Sequence, residues 1–173
     1  MPLARSNAEA HLYMDRTPCG CGETRFERQS AVVRRGADLC SQYTGTCPAC
    51  GTIRTFVFKL PEEILGLAPE VVCFGDDRPS QLLDAGEWLA IADERARRHP
   101  AGARGAEARA DLQYAIAALE EVLKFARGGE RVPDDAFWTA PGRAVRDAEP
   151  GRFRRARLEA VLGAYRGLLE GMS

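Results

Sequence analysis

"PCGCGETRF" (residues 18–26) and "TGTCPACGTIRTF" (residues 44–56) hold four of the chain's six cysteines, and their reading decides the fold. In the second stretch, Cys47 and Cys50 have the C-x-x-C spacing that lets two thiolates on one tight turn reach the same ion. Pro48 presets φ at the start of that turn, and Gly51 allows the positive φ that brings the chain back out. The flanks "SQYTGT" and "TIRTFVFKL" are β-rich, so the turn is expected to join two antiparallel strands. In the first stretch, Cys19 and Cys21 are one residue closer together, a C-x-C spacing that the flexible Gly20 makes workable. The segments on either side, "AHLYMD" and "TRFERQSAVV", both read as strands. Twenty-five residues separate Cys21 from Cys47, enough for a strand, a turn at "RRGAD" and a returning strand. Cys40, within "ADLCSQY", is a reserve ligand in place of Cys19 or Cys21.

Together these residues resemble a zinc ribbon, in which two such turns at one end of a small antiparallel sheet grip a tetrahedral ion. The "CPACG" turn is also similar to that of rubredoxins, which hold iron. The resemblance covers residues 10–60, about a third of the chain. It implies a metal centre made of Cys19, Cys21, Cys47 and Cys50, carrying Zn²⁺, with Fe as the alternative. Four thiolates leave no open coordination position, which makes such a centre structural rather than catalytic. A redox C-x-x-C belongs at a strand-to-helix junction, whereas strands are expected on both sides here. A zinc deaminase needs an H-x-E beside a P-C-x-x-C turn. The chain's two histidines, in "AHLYM" and "RHPAG", supply none.

The composition is that of an ordinary globular chain, 45% hydrophobic and 28% charged, with a formal net charge of −1. The charge is unevenly spread. Residues 61–94 carry nine acids against Arg78 alone, and mildly basic stretches flank them. This balance has no general claim on DNA or anionic membrane. Two of the 24 cations are lysine, which, with abundant alanine and glycine, fits a GC-rich bacterial genome. The N-terminus has no apolar stretch of signal-peptide type, and no run approaches the ~18 residues of a membrane span. A cytoplasmic setting is therefore expected, in which cysteines serve as metal ligands and buried thiols rather than disulfides.

After the cysteine-bearing region, residues 61–79 read as a connector, with one short strand at Val71–Phe74 and Cys73 as a buried small hydrophobe. Three amphipathic helices are expected next. The first starts at Ser80 as N-cap and ends by Pro100, with Leu82, Ala85, Leu89, Ala92 and Ala96 on one face. The second spans about 105–127 with a stripe through Leu112, Ile116, Leu119 and Leu123, and Gly128 and Gly129 stop it. The third spans about 150–170 through Phe153, Leu158, Leu162 and Tyr165, with one more short helix at 142–148 before it. The expected class is α+β: a zinc-ribbon module at 1–60, a connector at 61–79 and a three-helix α-domain at 80–173.

The sequence shows no catalytic constellation. His99 sits at a helix end, where a capping cation is expected. Asp76, Asp77 and Asp84 could meet a divalent cation, but acids beside a helix N-terminus explain them more simply. Arg152, Arg154, Arg155 and Arg157 crowd the start of the last helix, and pairing with acids of the same chain is their simplest role. Two functions remain. The first is a non-enzymatic protein-interaction module, an adaptor or inhibitor such as an immunity-type partner of a bacterial toxin, served by the alternating charge blocks. The second is a nucleic-acid-binding regulator that uses Arg25, Arg28, Arg34, Arg35 and Arg54 beside Phe26, Tyr43 and Phe56.

Overall fold

The computed structural model describes residues 1–62, 72–100 and 102–172. They fall into two compact units. Residues 1–62 with Cys73–Asp76 and Ser80–Leu82 make the first; residues 72 and 77–79 and those from Leu83 onward make the second. The class is α+β, a three-stranded antiparallel sheet followed by helices. No helix among the described residues is long and apolar enough to cross a membrane.

The first unit opens with a helix, α1 (Asn7–Arg16), where a strand is expected from "AHLYMD". The reason is local. Ser6 is extended and its hydroxyl accepts from Glu9 N at 3.0 Å, a cap that nucleates the first turn. The Glu9 carboxylate turns back to accept from Arg5 N and Arg5 Nε at 2.8 and 3.0 Å, a buried ion pair. Ala10 and Met14, four residues apart, are the apolar side chains that the helix buries.

The sheet runs in the order β1 (Gln29–Arg35), β2 (Asp38–Thr46), β3 (Ile53–Lys59). The turn expected at "RRGAD" joins β1 to β2, with Gly36 at φ +63°. Register puts Val32, Ser41 and Phe58 side by side, and next to them Ser30, Tyr43 and Phe56. Rings of α1 pack on this face: Tyr13 meets Phe58 and Phe56 edge-on at 5.8 and 6.3 Å, and His11 meets Tyr43 at 5.4 Å. These contacts cover β2 and β3 and leave β1 outside. At Gly45 the carbonyl of Glu27 passes so close that a Cβ there would sit 1.9 Å from it. The glycine thus lets Phe26 and Glu27 pass close against β2.

The second unit has four α-helices: α2 (Ala85–Ala96), α3 (Ala106–Phe125), α4 (Ala140–Ala148) and α5 (Arg155–Glu170). Among the described residues the chain therefore has five α-helices rather than the three of the expected α-domain: α4 answers to the short helix expected at 142–148, and α1 is the addition. The first of these helices begins at Ala85, not at Ser80. Asp84 is its N-cap, in a capping box with Glu87, and this outcompetes Ser80, whose hydroxyl accepts from Leu82 N at 3.1 Å instead. The last helix starts at Arg155, because Pro150–Phe153 form a tight 3₁₀ turn before it. The stripes meet in a core that includes Trp88, Leu89, Ile91, Leu119, Val122, Phe153 and Leu158. Phe137 and Phe153 stack edge-to-face at 4.7 Å.

Asp84 also joins two helices. Its buried carboxylate accepts from Glu87 N at 2.9 Å, and from Thr139 N and Thr139 Oγ1 at 2.8 and 2.7 Å. Thr139 Oγ1 in turn accepts from Gly142 N at 3.0 Å and caps α4. The two helix starts approach until Gly86 and Gly142 touch; a Cβ on Gly86 would lie 2.2 Å from the Gly142 carbonyl oxygen. Of the strand expected at Val71–Phe74, Val71 lies outside the described residues, and residues 72–74 are irregular.

Candidate metal centre

Two short turns carry the four sulfurs. In the first, Cys19 N donates to Glu23 O and Gly22 N to Cys19 O, both at 2.8 Å, with Gly22 at φ +91°. In the second, Cys47 N donates to Thr52 O and Gly51 N to Cys47 O, both at 2.9 Å, with Gly51 at φ +74°. The turns face each other. Cys19 Sγ is 3.6 Å from Cys50 Sγ, Cys21 Sγ is 3.6 Å from Cys47 Sγ, and all four sulfurs lie within 4.8 Å of one another.

This donor set fits a tetrahedral ion. With metal–sulfur bonds of about 2.3 Å, the edge of a thiolate tetrahedron is about 3.8 Å, close to the two 3.6 Å separations. The electrostatics fit as well. The side-chain and backbone hydrogen bonds of Thr52, with help from Cys21 and Cys47, bring the Cys50 thiol down to about 6. Cys21 goes the other way, to about 11: the Glu23 backbone bond lowers it, but Cys50, Cys47 and Cys19 together outweigh that bond. Crowded sulfurs cannot all carry negative charge unaided, and a cation among them removes that conflict. Cys40 is not part of the cluster. It is buried in β2, 4.0 Å from Asp38 O. Cys73 is half-buried and donates to Gly75 O at 3.3 Å.

Arg54 of β3 holds the first turn against the sheet. Its Nη1 donates to Thr24 O at 2.9 Å and its Nη2 to Thr17 O, so one guanidinium grips both sides of the Cys19–Cys21 loop. The guanidinium also lies 4.3 Å from the Phe26 ring centroid and 5.2 Å from that of Phe56. The residue is 7% exposed. Sequence reading places Arg54 on an open surface; the structure makes it a support of the metal turn. Only its position three residues after Gly51, on a strand leaving a knuckle, hints at that role.

Of the arginines and aromatics named for a nucleic-acid surface on the ribbon, Phe26, Tyr43 and Arg54 are buried, while Arg25, Arg34 and Arg35 are exposed. Phe26 and Tyr43 are 9% and 4% exposed, too little for a base to stack on. Arg28 pairs with Asp15 at 2.7 Å, and Arg35 Nη2 donates to Gln42 Oε1 at 3.0 Å. Other charges are settled within the second unit. Arg152 grips Asp93 with two bonds of 2.6 and 2.7 Å, and Arg155 pairs with Glu159 at 2.8 Å. His99 Nε2 meets Asp111 Oδ2 at 3.0 Å. The Asp84 carboxylate is occupied by N–H and O–H donors, which takes it out of any divalent-cation site with Asp76 and Asp77. Among the described residues the four cysteines are the one grouping suited to a metal ion.

No protein-family model, curated protein or solved structure matches this chain.

Proposed function

We propose that this chain is a non-enzymatic protein-interaction module, an adaptor or inhibitor, in which Zn²⁺ on Cys19, Cys21, Cys47 and Cys50 has a purely structural role. An immunity-type partner of a bacterial toxin is one form such a module takes. The four thiolates fill the tetrahedron, so the ion stabilises the turns and offers substrate no open position. Iron suits the same donors, and elemental analysis distinguishes the two. The exposed sulfurs of Cys21 and Cys50 call for a reducing compartment such as the cytoplasm.

The observation that carries this reading is the free outer edge of β1. Among the described residues the strand is paired on one side only, and every residue except Val33 is exposed, with Val32 at 68%. An unpaired edge of seven residues is a template for an added strand. A groove of about 470 Å³ runs beside it, lined among others by Ala4, Asn7, Val32, Tyr43 and Leu60. β1 contains Arg34 and Arg35 and no acid, and Arg34 has no ion pair among the described residues. The partner that fits is an extended segment alternating apolar and acidic residues.

Selection from a displayed peptide library against the zinc-loaded chain tests this. Acidic, alternating peptides should emerge, and Val32→Lys and Arg34→Glu should each reduce their binding about tenfold or more. Selected peptides indifferent to both changes, or retention of nucleic acid with a steep salt dependence instead, would overturn the reading.

A further inference from the structure

The helical unit opens a second cavity of about 470 Å³, a size typical of small-molecule sites. It lies between the last turn of α2, the start of α3 and the end of α5. Ala108 and Leu112 form its buried floor, and Leu168 and Met172 line its side. The charged and hydroxyl-bearing side chains around it are Arg95, Arg97, His99, Arg104 and Tyr165, and no carboxylate side chain among the described residues lines it.

Three of these four basic groups are already engaged. Arg95 and His99 hold Asp111 at 2.9 and 3.0 Å, and Arg97 holds Asp93 at 2.9 Å. Arg104 has no hydrogen bond or ion pair among the described residues, and neither does the Tyr165 hydroxyl. Burial pushes the Tyr165 phenol above its ordinary value, so it remains a protonated donor at any physiological pH. A cationic ligand would meet only like charge here. An inorganic anion would leave the apolar floor uncovered. An apolar molecule without charge would make no use of Arg104, which stands exposed at the rim of the cavity.

We propose that this cavity binds an aliphatic monocarboxylate, its chain laid on Ala108, Leu112 and Leu168 and its carboxylate held by Arg104 and the Tyr165 hydroxyl. The site lies wholly in the helical unit and stands or falls independently of the edge-strand reading.

The test titrates the zinc-loaded 173-residue chain with decanoate, decanol and decyltrimethylammonium below their micellar concentrations. Calorimetry and backbone amide shifts provide the readout. Decanoate should bind saturably and shift amides within 95–99, 102–112 and 165–172. Decanol should bind about tenfold more weakly or worse, and the cation not at all. Arg104→Gln should weaken decanoate by about the same factor and leave decanol unchanged. Leu168→Trp, at a side chain already 54% exposed and so tolerant of change, should block both. No saturable decanoate binding, equal binding of decanol, indifference to either substitution, or shifts elsewhere would each overturn the proposal.

Discussion

Arg54 Nη1 donates to the carbonyl of Thr24 across 2.9 Å, joining a β3 side chain to the backbone just past Cys21. The same guanidinium reaches Thr17, two residues before Cys19. The planar fork serves both carbonyls at once, which a lysine ammonium on a flexible stem does not reproduce. Arg54→Lys should therefore keep the charge and lose the clamp. Zinc affinity is expected to fall about 10–100-fold, as for other supports of metal ligands, in competition with a chromophoric chelator. Unchanged affinity would show that the clamp does not position the sulfurs.

Cys47→Ser removes a buried sulfur of the cluster. The ion should be lost, and about residues 10–60 should melt with it, because a sheet this small buries too little apolar area alone. Amide shifts of the first unit should collapse, while much of the far-UV helical signal persists. Metal retained at one per chain in a folded mutant would remove Cys47 from the ligand set.

At the junction of α2 and α4, Asp84→Ala strips donors on Glu87 and Thr139 of their shared acceptor. It should cost roughly 1–3 kcal/mol, since those donors are half-buried and lose their acceptor. Gly142→Ala should cost about 1–3 kcal/mol by a different route, because its Cβ would fall 1.9 Å from Asp84 Oδ1. Thr139→Ser keeps the hydroxyl and should be nearly silent. Thermal unfolding of the zinc-loaded proteins, followed by far-UV signal, checks all three; a silent Gly142→Ala would contradict the close approach.

Asp111 sets a pH dependence. Burial works against its ionisation, but hydrogen bonds from Arg95 and His99, with the charge of Arg98, hold its carboxyl below the ordinary range. The folded state then binds fewer protons than the unfolded one between the two pKa values. The stability it contributes is present above the unfolded value of about 4 and is lost as pH falls through the lower, folded one. Asp111→Asn should thus destabilise the helical unit at neutral pH, and its gap to wild type should close in acid. A gap constant with pH would mean that the ion pairs contribute nothing.

Much of the architecture was legible because it is written locally. "CPACG" encodes a turn in five residues, and the stripe from Leu112 to Leu123 encodes α3 in its spacing. The caps Ser6–Glu9 and Asp84–Glu87 are equally local, and they fix the starts of α1 and α2. The β-like look of "AHLYMD" misled because Leu12 and Tyr13 suit either element, and the cap upstream decided between them.

What the sequence determined alone was the set of pieces: two sulfur-bearing turns, the strands around Cys47–Cys50 and the apolar helix faces, each governed by residues within a turn or two of one another. The tertiary structure decided how distant residues meet. Arg54 reaches back 30 residues to Thr24, and Asp84 and Thr139 are 55 apart. Phe26 and Tyr43, which look like surface aromatics in the chain, are buried once the sheet closes over them. Such contacts form only when burial of the flanking apolar faces offsets the entropy of closing long loops, and no local spacing records which pairs that closure will bring together.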